Sequence, residues 1–544
     1  MRKGRTPTSV LALVVTVATG AAACSSSSPS GSSGAANGSG GKTLTVAMGA
    51  LPSSADIDAK AASDAQTQAL IAQSYAGRLF SHNVSPTGPS KDPNEAKEFP
   101  RPVPDLAQSA QLSTDGLTWT VTLREGVVSN LGNPLRPEDV VWSLQRALVT
   151  KQAAYLALTS INIDAAKPAT AVGDRQVAIH LTSPSSVLEQ VFSNPALGIY
   201  DSTAVQAAAG PSDPWGYEWT PKNTASYGAY ELDTNELPNK VVLKANPRYW
   251  QGTPQVTRVT FVQLTDPSAR LQSLLAGEVD VAEQIPQTDY PKVRDTAGVT
   301  PTVQSGAPIF LYGVFNLNNP ETGTPAFRQA LNASLDRDAM VKAALAGLGS
   351  PLTGCQVGGI TSPKTPFDVQ ATPDIDRAKQ LLAQAPGPRS VTIGYPTGIQ
   401  GDSTIPQIMK ANFATIGVTA TLKPYASYST FLADSKNGGF GIGIAGGRPA
   451  VFDGGYFYNA FFTTGSGLNV GSYSSKVFDA AVAKVTSTTG AAQSDALATV
   501  CTQFLSDQPA LLLVAVNGLA AHRDRVTAVS GAGQQPIPYN VRVQ

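Results

Sequence analysis

The chain has 544 residues, with 39 basic and 39 acidic side chains, and hydrophobic residues make up 42% of it. Balanced charge without a long basic run excludes a nucleic-acid partner. Only 14% of the residues are charged while Gly and Pro number 49 and 40, which excludes a plain helical bundle and fits a loop-rich mixed α/β protein.

The N-terminus reads as a targeting segment. Arg2, Lys3 and Arg5 form a positive start, Val10 to Ala18 an apolar run, and Ala21, Ala22 and Ala23 a small-residue stretch before Cys24. Residues 1–23 resemble a secretory signal peptide ending in a bacterial lipobox, with Ala21 where Leu, Val or Ile is usual. A lipid on Cys24 would anchor the protein to the outer face of the cell membrane. Residues 24–41 are almost entirely Ser, Gly, Pro and Ala, a composition that stays a flexible tether. No other stretch is apolar for the roughly 18 residues that a membrane-spanning helix needs.

From Lys42 onward strand and helix patterns alternate. Leu44 to Met48 reads as the first strand, followed by alternating stretches at Trp119 to Leu123, Val177 to Leu181 and Val241 to Leu243. Further strands are expected at Val256 to Leu264, Ile309 to Leu317, Val391 to Tyr395 and Val418 to Pro424. Helices are expected to open at Pro137-Glu138-Asp139, at Pro325-Ala326-Phe327 and at Pro373-Asp374, the last stopped by Pro386-Gly387. Cys355 and Cys501 are either bridged or buried as two free thiols. A bridge would close a loop of 146 residues (501 − 355), for which the chain-entropy account gives about 5 kcal/mol. No C-x-x-C or clustered His accompanies them, so neither a metal nor a cofactor is expected. G-x-S-x-G and H-E-x-x-H are missing and the three histidines, His82, His180 and His522, stand apart, so no enzyme is expected.

A series of short segments, in order, carries a resemblance. Pro104-Asp105-Leu106-Ala107 precedes Leu117 to Gly126 with its Leu123-Arg124-Glu125-Gly126 ending; then come Asn133-Pro134-Leu135 and Pro137 to Ser143. Gly228 to Leu232, Asn246-Pro247-Arg248-Tyr249-Trp250, Leu274 to Asp280, Phe315-Asn316, Phe327 to Arg337 and Asp376 to Leu382 follow. In this order they resemble the extracellular solute-binding proteins of family 5, the dipeptide- and oligopeptide-binding proteins of ABC importers, over about Leu44 to Val526. Arg124, Asp139, Pro247 and Trp250 are read as structural.

The resemblance implies a two-lobed periplasmic-binding-protein-like fold of type II, α/β in class, with an extra subdomain inserted in the first lobe. Lobe I is placed at 42–59, 174–305 and 517–544, the inserted subdomain at 60–173, and lobe II at 306–516. It implies a monomer that captures a short peptide between the lobes and passes it to a permease and its ATPase. The alternatives are a non-peptide solute, such as a metal chelate or oligosaccharide, and a sensor lipoprotein without transport. The family's amine-binding "W-x-x-D-Y" stretch corresponds to Gly446 to Tyr456, where Gly447 stands at the Trp position and Ala450 at the usual Asp. Asp453 could supply the carboxylate from another register, and Arg448 could instead bind a solute carboxylate or phosphate, or face solvent. Tyr312, Asn316, Tyr425, Tyr456 and Tyr473 complete the expected ligand-contacting set.

Overall fold

The computed structural model describes residues 42–58, 71–82, 102–355, 363–385, 387–397, 403–447, 454–488, 490–528 and 541–544, with the backbone alone at 304–308. The signal segment, Cys24, the linker, Arg448 and Asp453 lie outside the described residues.

β1 (Lys42–Met48) alternates, with Leu44, Val46 and Met48 in one hydrophobic cluster and Ala47 in another on the opposite face. β2 (Phe80–His82) pairs with β3 (Pro102–Pro104). β4 (Ala107–Leu112), β5 (Thr118–Leu123), β6 (Ala169–Val172) and β7 (Gln176–His180) form an antiparallel sheet in the order β4-β5-β7-β6. β8 (Tyr230–Glu236), β9 (Lys240–Ala245) and β10 (Val256–Gln263) are an antiparallel meander, and β10 lies parallel to β1. On its other side β1 is parallel to β11 (Val281–Ala282). Then come β12 (Val299–Phe315), β13 (Gly349–Pro351), β14 (Ser390–Pro396), β15 (Thr419–Tyr425), β16 (Ile442–Gly447) and β17 (Ala510–Arg523). β18 (Val526–Ala528) and β19 (Arg542–Val543) pair with each other.

The main sheet runs β15-β14-β16-β12-β17-β11-β1-β10-β9-β8, with β13 added on β17. Two long strands hold it together. β12 and β17 pair antiparallel over Val299–Gln304 with Arg523–Gly518, and again over Ile309–Val314 with Val516–Ala510. The register slips between the two stretches. The first stretch belongs with β11, β1, β10, β9 and β8, the second with β16, β14 and β15. Each half has cores of its own. Leu311, Phe315, Ile393, Ile442 and Leu513 lie on one face of the second half, and Phe310, Tyr312, Phe457, Val500 and Phe504 on the other. The chain is therefore two lobes joined by crossing strands.

Three features differ from the sequence expectation. β7 was assigned to the first lobe, yet it pairs with β5 and β6 in the small sheet, and the core of that unit continues to Ile199. The inserted unit thus extends past residue 173. β12 begins ten residues before Ile309, and β16 and β17 were not anticipated. The expected helices are Pro137–Thr150, Pro325–Ala333 and Ile375–Ala383. Thr324 and Asp374 cap the last two through Phe327 N (3.3 Å) and Arg377 N (3.0 Å). Asp139 accepts from Arg136 N (2.9 Å), Ser202 Oγ (2.6 Å) and Tyr227 Oη (2.9 Å), which makes it a structural joint. Arg124 donates from Nε to Asp105 O (2.5 Å) and lies over the Trp250 ring. Cys355 and Cys501 are bridged, with Cα atoms 5.3 Å apart, inside the aromatic core of the second lobe.

A buried ionic network ties the helix Pro137–Thr150 to the segment after β1. Arg146 donates to Asp56 Oδ2 (2.6 Å), Tyr200 Oη (3.0 Å), Thr220 Oγ1 (3.0 Å) and Trp215 O (2.8 Å). Both partners of the ion pair are almost fully shielded, at 1% and 0% side-chain exposure. Asp58 sits beside it, accepts from Ala154 N (2.8 Å), and leaves Oδ2 without a hydrogen bond. Burial pushes its carboxyl from 3.8 up to about 7, against the Ala154 N–H and helped by the charge of Asp56.

Two outcomes are expected. Asp56→Asn leaves the Arg146 charge buried without its counter-charge and should lower unfolding free energy by about 3–5 kcal/mol in urea titration. Asp58 binds its proton more tightly folded than unfolded. It therefore stabilises most below pH 4, and that contribution is lost as pH rises toward 7. Unfolding curves of the native chain and Asp58→Asn should diverge over that window, the native chain losing stability relative to the variant. Parallel curves would show that Asp58 does not titrate there.

Candidate ligand-binding cleft

β12 runs from the first lobe into the second, and β17 runs back. β11 is antiparallel to β17, and β1 and β10 are parallel to β11, so all three point their carboxyl ends toward the crossing. In the second lobe β16 is antiparallel to β12, and β14 and β15 run parallel to β16. Their carboxyl ends also face the crossing. Open α/β sheets bind ligands outside the carboxyl ends of parallel strands, and here two such edges meet where the lobes join.

On the first-lobe side the edge is built by Gly49, Arg270 and Gln284. Gln284 follows β11 with φ of 55°, a left-handed conformation rare for a residue with a Cβ. Its Oε1 accepts from Gly49 N (3.1 Å), which joins the loops after β1 and β11. A Cβ at residue 49 would meet that oxygen at 2.7 Å, so a side chain there would push the Gln284 amide aside. Gln284 Nε2 makes no hydrogen bond among the described residues. With Oε1 fixed, that amide is an oriented donor. Arg270 lies behind, buried, and donates to Leu264 O (2.6 Å), Thr265 O (3.0 Å), Glu283 O (3.0 Å) and Gln284 O (2.7 Å). One guanidinium thereby holds the ends of β10 and β11 at a fixed spacing. Strain at an otherwise clamped position is a mark of functional sites. The sequence offered no motif for these three residues beyond the Gly277-Glu278-Val279-Asp280 turn that precedes β11.

On the second-lobe side Gly447 ends β16 beside Phe310 of β12. A Cβ there would lie 3.2 Å from Phe461 Cζ, so the ring of Phe461 takes the space that a side chain at 447 would fill. Tyr456 begins the helix Gly454–Phe462, is half-buried, and packs against the core of the small-sheet unit, hydrogen-bonded to Ser160. Burial raises its phenol. Tyr425 ends β15, where its carbonyl accepts from Thr397 N (2.8 Å), but its ring is turned onto Phe431 and Phe440 and its hydroxyl bonds Asp434.

The remaining expected contacts lie elsewhere. Tyr312 is buried on β12 among Phe457 and Phe462. Asn316 follows the far end of β12, where its Nδ2 donates to Ser435 O (2.6 Å) and its N–H to Gly441 O (2.9 Å). Tyr473 sits at that same end, near Gly471, whose carbonyl accepts from Leu317 N, and its hydroxyl donates to Asp507 Oδ2 (2.6 Å). Thus Gly447 and the backbone of Tyr425 reach the crossing-facing edge, Tyr456 lies against the small-sheet unit, and Asn316 and Tyr473 brace the opposite end. Among the described residues no group of His, Cys, Asp and Glu is arranged to hold a metal, and no helix is long and apolar enough to cross a membrane.

The glutathione-binding protein GsiB of Escherichia coli (strain K12) is 29% identical over 299 residues, 54% of this chain and 53% of that protein. The periplasmic murein peptide-binding protein MppA of the same strain is 27% identical over 356 residues, 61% of this chain and 64% of that protein. The chain thus matches about half to two thirds of the length of these relatives. Among solved structures, the ABC transporter substrate-binding protein CtaP from Listeria monocytogenes superposes with a TM-score of 0.76 at 22% identity, covering 92% of this chain and 99% of that one. DppA from Helicobacter pylori, in complex with the peptide STSA, gives 0.75 at 18%, covering 92% and 98%. At these identities the structural likeness concerns the fold. The family model for bacterial extracellular solute-binding proteins, family 5, middle region, matches residues 101–469, and the chain belongs to that family.

Proposed function

We propose that the protein captures a short peptide between its lobes and hands it to the permease and ATPase of an ABC importer. The observation that carries this reading is the convergence of six parallel strand ends, three from each lobe, on the crossing of β12 and β17. Peptide-binding relatives support the choice of solute. Closure is a hinge motion about the register slip between Gln304 and Ile309. Gln284 Nε2 donates to a carbonyl or carboxylate oxygen of the bound peptide from the first lobe. Gly447 and Tyr456 flank it from the second, and Arg448 and Asp453 supply its charged contacts. Cys24 carries the lipid that holds a monomeric binding protein on the outer face of the membrane.

Native mass spectrometry of the purified protein, before and after denaturation, tests the reading. A co-purified ladder of short peptides is expected. A single non-peptide mass would instead favour a solute such as the agropinic acid held by the similarly folded AgaA. Gln284→Ala should weaken binding of the recovered peptides by about tenfold in calorimetry, the worth of one oriented hydrogen bond. Unchanged affinity would remove Gln284 from the contact set.

A further inference from the structure

Among the described residues the small-sheet unit meets the second lobe at Ser186 and at Ser160, away from β12 and β17. At the first, Ser186, between β7 and the short helix Leu188–Val191, donates its N–H to Thr486 O at 2.9 Å. Its hydroxyl reaches the same carbonyl at 3.2 Å. Thr486 lies in the last turn of the helix Lys476–Ser487, where carbonyls have no partner within the helix. Gln493, on the next helix, donates Nε2 to Ser186 Oγ (3.3 Å) and to Val485 O (3.1 Å), bridging the two sides. At the second place, Tyr456 leaves its own lobe, packs against the unit's core and bonds Ser160, the last residue of the helix Ala153–Ser160.

We infer that the small-sheet unit is the keeper of a clasp: Ser160 and Ser186 engage Tyr456, Thr486 and Gln493 when the lobes are closed, and this contact sets how long they stay closed. The chemistry suits a reversible device. Every group in it is a neutral hydroxyl, amide or carbonyl, so each can return to water on opening without exposing a buried charge. The Thr486 carbonyl gains a partner it lacks within its helix. The Tyr456 ring supplies apolar contact on the same closing motion. The inserted unit therefore has a role in closure that is separate from solute contact.

The clasp is tested without any solute. Spin labels on unnatural side chains at the exposed Val172, on β6, and Val477, on the helix Lys476–Ser487, report the separation of the two parts by dipolar spectroscopy. Two variants are compared with the native chain. Ser160→Ala/Ser186→Ala/Gln493→Ala removes the side-chain bonds, and Ser186→Glu sets a carboxylate against the carbonyl end of a helix. Tyr456 is left in place so that solute binding is not altered directly. Native melting temperatures in both variants show that they fold. The expected result is a short-separation population in the native chain whose ratio to the long one falls by about fivefold in the variants, the scale of one or two lost hydrogen bonds. The same ratio in all three proteins, or a native chain with no short-separation population, overturns the clasp while leaving peptide capture untouched.

Discussion

The antiparallel ladder between β12 and β17 is the constraint on which both lobes depend. It supplies the only strand pairing that continues through both halves of the main sheet among the described residues. Because the two strands are antiparallel, they fix strand polarity in each lobe. Every strand laid parallel to β11 or to β16 then has its carboxyl end at the crossing. The cleft is a consequence of this polarity. The slip in register between Gln304 and Ile309 interrupts the ladder between the lobes.

Buried arginines reinforce the ladder through backbone carbonyls more than through carboxylates. Arg328 donates to Gln508 O (2.9 Å) and Asp507 O (2.5 Å), just before β17, and Arg337 to Leu512 O (2.8 Å) within it. Burial pulls the Arg337 guanidinium down to about 9. Arg270 does the same for the ends of β10 and β11. Planar, forked guanidinium groups can serve several carbonyls at once, which lysine cannot. This explains why the segment Phe327 to Arg337, read at first as part of a resemblance, carries arginines at both ends. They seat one strand.

Much of the fold was legible because period-2 alternation marks a strand with one buried face, as in β5, and because Pro, Thr and Asp mark helix starts. β17 was not legible: Leu511-Leu512-Leu513-Val514 is buried on both faces, and a continuous apolar run does not separate strand from helix. Glycine hid β16, where Gly443 is required because a Cβ would collide with Phe440 and Phe431. The site was less legible for a different reason. Motifs assigned Tyr312 and Asn316 to β12 or its end, but which end faces the cleft depends on partners some two hundred residues away. Arg270 and Gln284 belong to no motif, and their importance comes from φ and from carbonyl geometry that local sequence does not encode.

The pairing of β11 with β17 has a consequence for how the chain is made. Val281 and Ala282 find their partners at His522 and Ala521, and β13 adds to β17 at Val516. Neither lobe can complete its sheet until β17, Ala510–Arg523, has left the ribosome. Contacts so far apart in sequence form slowly, because loop closure precedes any reward from pairing. A nascent chain of this kind keeps both halves of its main sheet unfinished until β17 has been made.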